Sequence, residues 1–433
     1  MKWHLSEYNL SAKIPEEDKW VIVNLFKGTV TPMSAATLYA LANLSELPDD
    51  TPLLAKLAKR GLIADFDERA ALETMSRMAC AFPHGVGLTI CPTMGCNFDC
   101  PYCFENHRPE MMSTKTQDDV ISLAGRLIEL SNAKSLSVSW FGGEPLLAPE
   151  IISSLSKRLI AICEERNIKY NAGIITNGYL LDQKIADMLE AAKVTSAQIT
   201  LDGIGDAHDA TRHLAGGGPT FDRITWNLRN LKLPFRVSIR HNVHIDNIDQ
   251  RNALRDYVAE LAKESGNNIS YYASPVSDNT VSRDRGSDVN TLCTTDCSEV
   301  GIKRDVARLT PAMGHYCGAH VLWGVGIDAK GRLHKCWETV DKPDRSFGNA
   351  ADWNPMDPFN TASDPENLTS YLNSSGAIDD EECRSCKWLP ECRGGCPNAR
   401  IKGNKNCVPY RDDAEAFVRE VYRVAKERAE AKK

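Results

Sequence analysis

Three thiols within eight residues, Cys96-Asn97-Phe98-Asp99-Cys100-Pro101-Tyr102-Cys103, constrain this chain more than any other stretch. Gaps of three and then two residues let one loop hold three corners of a cubane iron–sulfur cluster, which leaves the fourth iron without a protein ligand. A small molecule must fill that corner. A thioredoxin-like Cys-x2-Cys pair has no place for the third thiol at Cys96, and a c-type haem attachment needs histidine where Phe104 follows Cys103. A zinc knuckle stays open on the triplet alone, so the surrounding fold has to decide.

The chain has 433 residues and fifteen cysteines, and the thiols fall in two groups instead of being scattered as core residues would be. Its first residues, Met1-Lys2-Trp3-His4, run into polar sequence and open no signal peptide. The cytosol keeps thiols reduced, so the count argues for metal and against a disulfide scaffold. A net charge of −7 with no long basic run gives no cationic footprint for nucleic acid. No apolar run reaches the length of a membrane span. A cytoplasmic protein of two or three domains is expected.

Residues 1–80 read as a small separate unit. A β-rich run, Trp20–Phe26, precedes helical patterns at Ser34–Leu44 and Thr51–Arg60, with Gly61 as a C-cap and Leu62–Asp65 as a wing-like strand. From Val86 the pattern changes to alternating strands and helices. Strands are expected at Val86–Ile90, Ser135–Trp140, Ala172–Thr176, Ser196–Leu201, Phe235–Val243 and Ile269–Ala273, with helical periods between them. Six such repeats imply an α/β fold with a parallel sheet, whose active groups lie beyond the carboxyl ends of the strands.

Those ends carry recognisable motifs. The second strand ends in Gly142-Gly143-Glu144-Pro145, the third in Thr176-Asn177-Gly178, and the fourth in Thr200-Leu201-Asp202-Gly203 followed by His208-Asp209-Ala210-Thr211-Arg212. With the cysteine loop they resemble the radical S-adenosylmethionine enzymes. The resemblance implies a partial (β/α)6 barrel over residues 81–310 and a [4Fe–4S] cluster on Cys96, Cys100 and Cys103. Its open iron would chelate S-adenosylmethionine, and its electron would cleave that cofactor to a 5′-deoxyadenosyl radical. Carried over residue by residue, Gly142, Gly143 and Glu144 would receive the methionine amino group, Asn177 would lie near the cofactor, Thr200 and Arg212 would suit its carboxylate, and Tyr102 would lie against the adenine. Arg240, His241 and His244 of the fifth strand are assigned no catalytic role. Cys80, Cys91 and Cys163 lie outside every motif.

The second cysteine group begins at Cys317, continues through Gly331 and Cys336, and ends in Cys383-x2-Cys386-x5-Cys392-x3-Cys396 and Cys407. This resembles the seven-cysteine SPASM extension, placed over residues 311–433. Between the first two thiols, Val325–His334 reads as a hairpin with Lys330-Gly331 at its turn. The resemblance implies one auxiliary cluster on Cys383, Cys386, Cys392 and Cys407 and another on Cys317, Cys336 and Cys396. Its eighth thiol would be Cys297 or Cys293, or that iron stays open to substrate. Structural zinc would leave Cys317, Cys336 and Cys407 unexplained.

The expectation is therefore a three-cluster radical enzyme that modifies a peptide or protein side chain by thioether or carbon–carbon crosslinking, fed by an electron donor such as flavodoxin or ferredoxin. The N-terminal unit faintly resembles the winged-helix element that binds leader peptides; a packing cap is the competing view. Anaerobic sulfatase maturation to formylglycine is the alternative within the enzyme class, and a zinc-stabilised interaction protein the alternative outside it. The charged C-terminal stretch 412–433 is expected to be an amphipathic helix docking through Ala414, Phe417, Val418, Val421, Tyr422 and Ala425.

Overall fold

The computed structural model describes residues 3–48, 50–81, 85–244, 246–276, 317–373, 376–405, 407–408 and 410–430. Cys293 and Cys297 lie outside the described residues. The chain divides into two compact units, the smaller chiefly residues 1–81 with 373–433, the larger chiefly 82–293 with 318–372.

In the smaller unit, β1 (His4–Leu5), β2 (Asn9–Ile14), β3 (Lys19–Asn24) and β4 (Thr29–Met33) precede helices α1 (Ala35–Ala42) and α2 (Pro52–Lys59), strand β5 (Ile63–Ala64) and helix α3 (Glu68–Ala81). The run expected as one strand is the centre of a three-stranded antiparallel meander, β2-β3-β4. Val21, Ile22 and Val23 are consecutive and all buried because the meander is covered on both faces. Val21 and Val23, with Leu10 and Ala12 of β2, share a core with Phe417, Val418 and Val421 of the C-terminal helix Ala414–Glu430. Ile22 packs instead with Leu41, Leu54 and Leu57 of the helical side. The expected wing strand pairs as β5 with β1, outside the meander, because its two residues find their partners in the chain's first strand.

The same core holds Trp388, Tyr410 and Phe417, whose rings meet with centroids 4.7 to 5.2 Å apart. Cys383, Cys386 and Cys392 pack against it. The sheet that begins the chain and the thiols near its end are therefore one folded body.

The larger unit is built on nine strands in the order β11-β10-β9-β8-β7-β6-β12-β13-β14. These are β6 (Val86–Ile90), β7 (Ser135–Trp140), β8 (Lys169–Thr176), β9 (Val194–Thr200), β10 (Arg236–Val243), β11 (Ile269–Pro275), β12 (Gly324–Ile327), β13 (Arg332–His334) and β14 (Gly348–Asn349). The first six are parallel in chain order, as the repeats predict. The expected hairpin forms as β12 and β13, and β12 runs parallel beside β6, extending the barrel sheet. Helices α4 (Thr114–Ser131), α5 (Pro149–Glu165), α6 (Gln183–Ala191), α8 (Phe221–Asn230) and α9 (Gln250–Ser265) alternate with the strands, a one-turn α7 (Asp206–Asp209) preceding α8. Helix α4 shows why: Ser113 caps it by accepting from Thr116 N at 3.1 Å, and Val120, Leu123, Leu127 and Ile128 repeat at helical spacing and are all buried. Among the described residues no helix is long and apolar enough to cross a membrane.

Truncating Phe417 to alanine should cost about 3–5 kcal/mol, because the ring is fully buried among Trp388 and Tyr410. The same change at Tyr39, 70% exposed, should cost under about 0.5 kcal/mol. Denaturant unfolding reads both, and equal losses would contradict the shared core.

Candidate active site

Strand β6 ends at Ile90 and releases the loop that carries Cys96, Cys100 and Cys103, and all three thiols line one cavity. Tyr102, Gly142, Gly143, Asn177, Thr200 and Arg212 line it as well. Six of the seven residues singled out as cofactor contacts thus share a wall with the thiols. Glu144 sits behind that wall, wholly buried. Its carboxylate accepts from Leu146 N at 2.9 Å, Thr176 Oγ1 at 2.6 Å and Asn177 N at 2.7 Å. Burial pushes its pKa up, with these three donors pulling against that.

The motif segments stitch the thiol loop in place. Glu144 N donates to Gly95 O at 2.9 Å, Asn177 Nδ2 to Asn97 Oδ1 at 2.8 Å, Ala215 N to Asn97 O at 2.9 Å and Asp99 N to His213 O at 3.1 Å. Gly142, at φ +102, and Gly143 lie so close to this loop that a Cβ on either would overlap the carbonyl oxygens of Thr93 and Gly95 respectively. Only glycine permits that approach.

Tyr102 is the centre of a buried polar network. Its hydroxyl donates to Asp202 and accepts from Arg212 Nη1 at 2.7 Å and Asn242 Nδ2 at 3.3 Å. Asn242 N and Asn247 Nδ2 hold Asp202 from the fifth-strand side at 3.0 and 3.1 Å. The His208 imidazole accepts from Asp202 N at 3.2 Å, and burial, seconded by Arg212, depresses its pKa so that it stays neutral. Asp209 caps α8 by accepting from Thr220 N and Phe221 N. Burial works against charge on Arg212, yet Cys100, Tyr102 and Asp202 around it hold the guanidinium protonated, and Phe98 covers it at 5.6 Å. Of the fifth-strand residues, Arg240 lines the cavity, whereas the buried His241 meets Tyr271 Oη at 3.0 Å and His244 is buried beside Asp246.

Burial pushes the Cys96 thiol up to about 12, with Glu144 adding to it, and raises Cys103 well above its ordinary value, with Glu105 adding. Desolvated thiols such as Cys96 and Cys103 resist ionisation unless a cationic metal group compensates them. Their grouping around a shared space, with Phe98 N donating to Cys96 Sγ at 3.4 Å and His107 Nε2 3.2 Å from Cys103 Sγ, fits a cluster several atoms wide.

In the smaller unit Cys383, Cys386, Cys392 and Cys407 line a second cavity. Arg400 Nη1 donates to Cys383 Sγ and Arg411 Nη1 to Cys407 Sγ, each at 3.5 Å, and burial pushes the Cys392 thiol up to about 11. Cys317 and Cys396 belong to this unit also. Cys336 belongs to the larger one, where it follows β13.

The first cavity also contains residues that the motif reading passed over: Phe104, Glu105, Phe141, Gln198, Asn242 and Trp337. Phe104, Phe141 and Trp337 had a signal in their adjacency to Cys103, Gly142 and Cys336.

Residues 90–258 match the Radical SAM superfamily. A cysteine-type anaerobic sulfatase-maturating enzyme of Clostridium perfringens (strain 13 / Type A) is 25% identical over 366 residues, covering 75% of this chain and 94% of that relative. The PqqA peptide cyclase of Gluconobacter oxydans (strain 621H) is 23% identical over 357 residues, covering 75% and 92%. Among solved structures, native anSMEcpe with bound AdoMet and Cp18Cys peptide superposes with a TM-score of 0.59 at 20% identity, over 79% of this chain and 99% of that one. Streptococcus suis SuiB bound to precursor peptide SuiA gives 0.52 at 15% identity, over 95% and 99%. Residues 90–258 are thus a Radical SAM domain, set in an α/β fold that a cysteine-rich C-terminal stretch follows.

Replacing Thr176 by valine removes one donor from the buried Glu144 carboxylate and should destabilise the fold by about 1–3 kcal/mol. Denaturant unfolding that showed under about 0.5 kcal/mol would contradict the role given to that pair.

Proposed function

We propose that the protein is a SPASM-type radical S-adenosylmethionine maturase with three [4Fe–4S] clusters that modifies a side chain of a peptide substrate, forming a thioether or carbon–carbon crosslink. One observation carries the reading: three thiols of one loop share a cavity with the Gly142-Gly143 backbone, Asn177, Thr200 and Arg212. The bound cluster and S-adenosylmethionine would supply an electron and a 5′-deoxyadenosyl radical that takes a hydrogen atom from the substrate. Cys96, Cys100 and Cys103 hold the cluster in this scheme. The glycine carbonyls would accept from the methionine ammonium, and Arg212, pre-aimed by Tyr102 and Asp202, would bind the carboxylate. Glu144 acts from behind by fixing Thr176 and Asn177.

Cys383, Cys386, Cys392 and Cys407 hold an auxiliary cluster in this account, and their common cavity supports it. Cys317, Cys336 and Cys396 hold the other, with Cys297 or Cys293 as the remaining thiol, or with an iron open to substrate. A flavodoxin or ferredoxin supplies the first electron. For the substrate, the N-terminal meander offers a docking edge. Strand β4 pairs with β3 alone among the described residues, so its other side can take an added strand, with Pro32 limiting the pairing because it has no N–H. The SuiB structure bound to a precursor peptide spans 95% of this chain, too much to leave out residues 1–81.

The sulfatase-maturating relative from Clostridium perfringens supports a second reading, formylglycine formation from cysteine or serine. Deleting the N-terminal unit does not separate the two, since that would strip Val21 and Val23 from Phe417 and open the smaller unit's core. Hydrazide trapping does: an aldehyde product is captured, whereas a crosslinked one is not.

Anaerobically purified protein should carry about twelve irons, and Cys100→Ala should abolish release of 5′-deoxyadenosine under reducing conditions. Cys392→Ala should keep uncoupled cleavage and lose product. Release of 5′-deoxyadenosine by the Cys100 variant, or zinc in place of iron, would overturn the reading.

A further inference from the structure

One wall of the cavity bears on which substrate side chain it takes. Phe104, Phe141 and Trp337 form a row of rings, the first pair 6.3 Å and the second 5.7 Å apart between centroids. Trp337 is 47% exposed, so part of the row stands open to an incoming group. Glu105, next in sequence to Phe104, lines the same cavity. It is 2% exposed, and neither carboxylate oxygen has a hydrogen-bond partner among the described residues.

The arginines lining the cavity are already engaged. Arg212 donates to Tyr102, and Arg240 donates to Asn242 at 2.7 Å and to Ser274 at 3.4 Å. A carboxylate withdrawn from water without a partner is costly, and aromatic faces attract cations. Both features call for one kind of guest: a cation on a flexible apolar stem, whose methylenes lie on the rings while its head reaches the carboxylate. An apolar side chain would leave Glu105 unpaired.

We propose that this cavity selects a peptide with a lysine or arginine side chain at or beside the modified residue, Glu105 pairing with the cation and the faces of Phe141 and Trp337 holding its stem. The inference rests on the proposed function, in which the substrate's hydrogen atom is taken by a radical formed at this cavity's thiols, and adds that the modified residue enters the same cavity.

The test uses reconstituted, S-adenosylmethionine-loaded full-length enzyme in anaerobic equilibrium dialysis against an equimolar mixture of acetyl-Gly-X-Gly-amide peptides. X is lysine, arginine, norleucine or glutamate, and mass spectrometry reads retention. Lysine and arginine probes should be retained over norleucine by about tenfold or more, and Glu105→Gln should abolish that preference. Trp337→Leu, at a half-exposed position that does not threaten the fold, should reduce it by a few-fold. Equal retention of lysine and norleucine by the wild type, or an undiminished preference in both variants, would overturn the proposal. Release of 5′-deoxyadenosine is read from the same preparations. Release without a cation preference sinks the subsite alone, whereas no release sinks the proposed function and the subsite with it.

Discussion

The structure depends on how closely the backbone after β6 can approach the backbone after β7. Gly142 and Gly143 have no side chains to hold the chains apart, so Glu144 N reaches Gly95 O and the thiol loop is fixed at its root. From there the loop is tied forward to each succeeding strand end, through Asn177 on the third, Asp202 on the fourth and Asn242 on the fifth. A parallel sheet places all these ends on one side, and the loop lies across them. Preorganisation of this kind holds the three thiols around one cavity.

The motif residues consequently divide the labour in a way their conservative reading does not suggest. Glycines supply clearance and carbonyls. Glu144 turns inward and braces Thr176 and Asn177, while Arg212 is kept charged by the acidic and phenolic groups around it despite full burial. His208, which stands before the arginine in sequence, serves as a neutral acceptor for the Asp202 amide and never faces the cavity. In the smaller unit a comparable economy holds, because one aromatic core supports both the N-terminal meander and the loop bearing Cys383, Cys386 and Cys392.

Much of the larger unit is legible in the sequence because the first four strands each lead into a motif and the helices between strands carry three-to-four residue apolar repeats, as α4 illustrates. The meander was less so. Val21-Ile22-Val23 reads as a buried strand, but its partners β2 and β4 depend on a helix some four hundred residues away that covers one face. Cavity residues such as Gln198 and Asn242 were invisible for a related reason: their roles come from which strand stands next to which, and no local pattern encodes that. Glu105 carries no motif either, and only its burial without a partner draws attention to it.

The central claim is that the iron not held by Cys96, Cys100 or Cys103 binds the amino group of S-adenosylmethionine. Electron–nuclear double resonance on the reduced cluster, with cofactor labelled by nitrogen-15 at that amino group, measures the contact itself. A resolved nitrogen-15 coupling that disappears when unlabelled cofactor replaces it is the predicted result. No coupling from the cofactor, together with a coupling traced to a fourth side chain of the protein, would contradict the account.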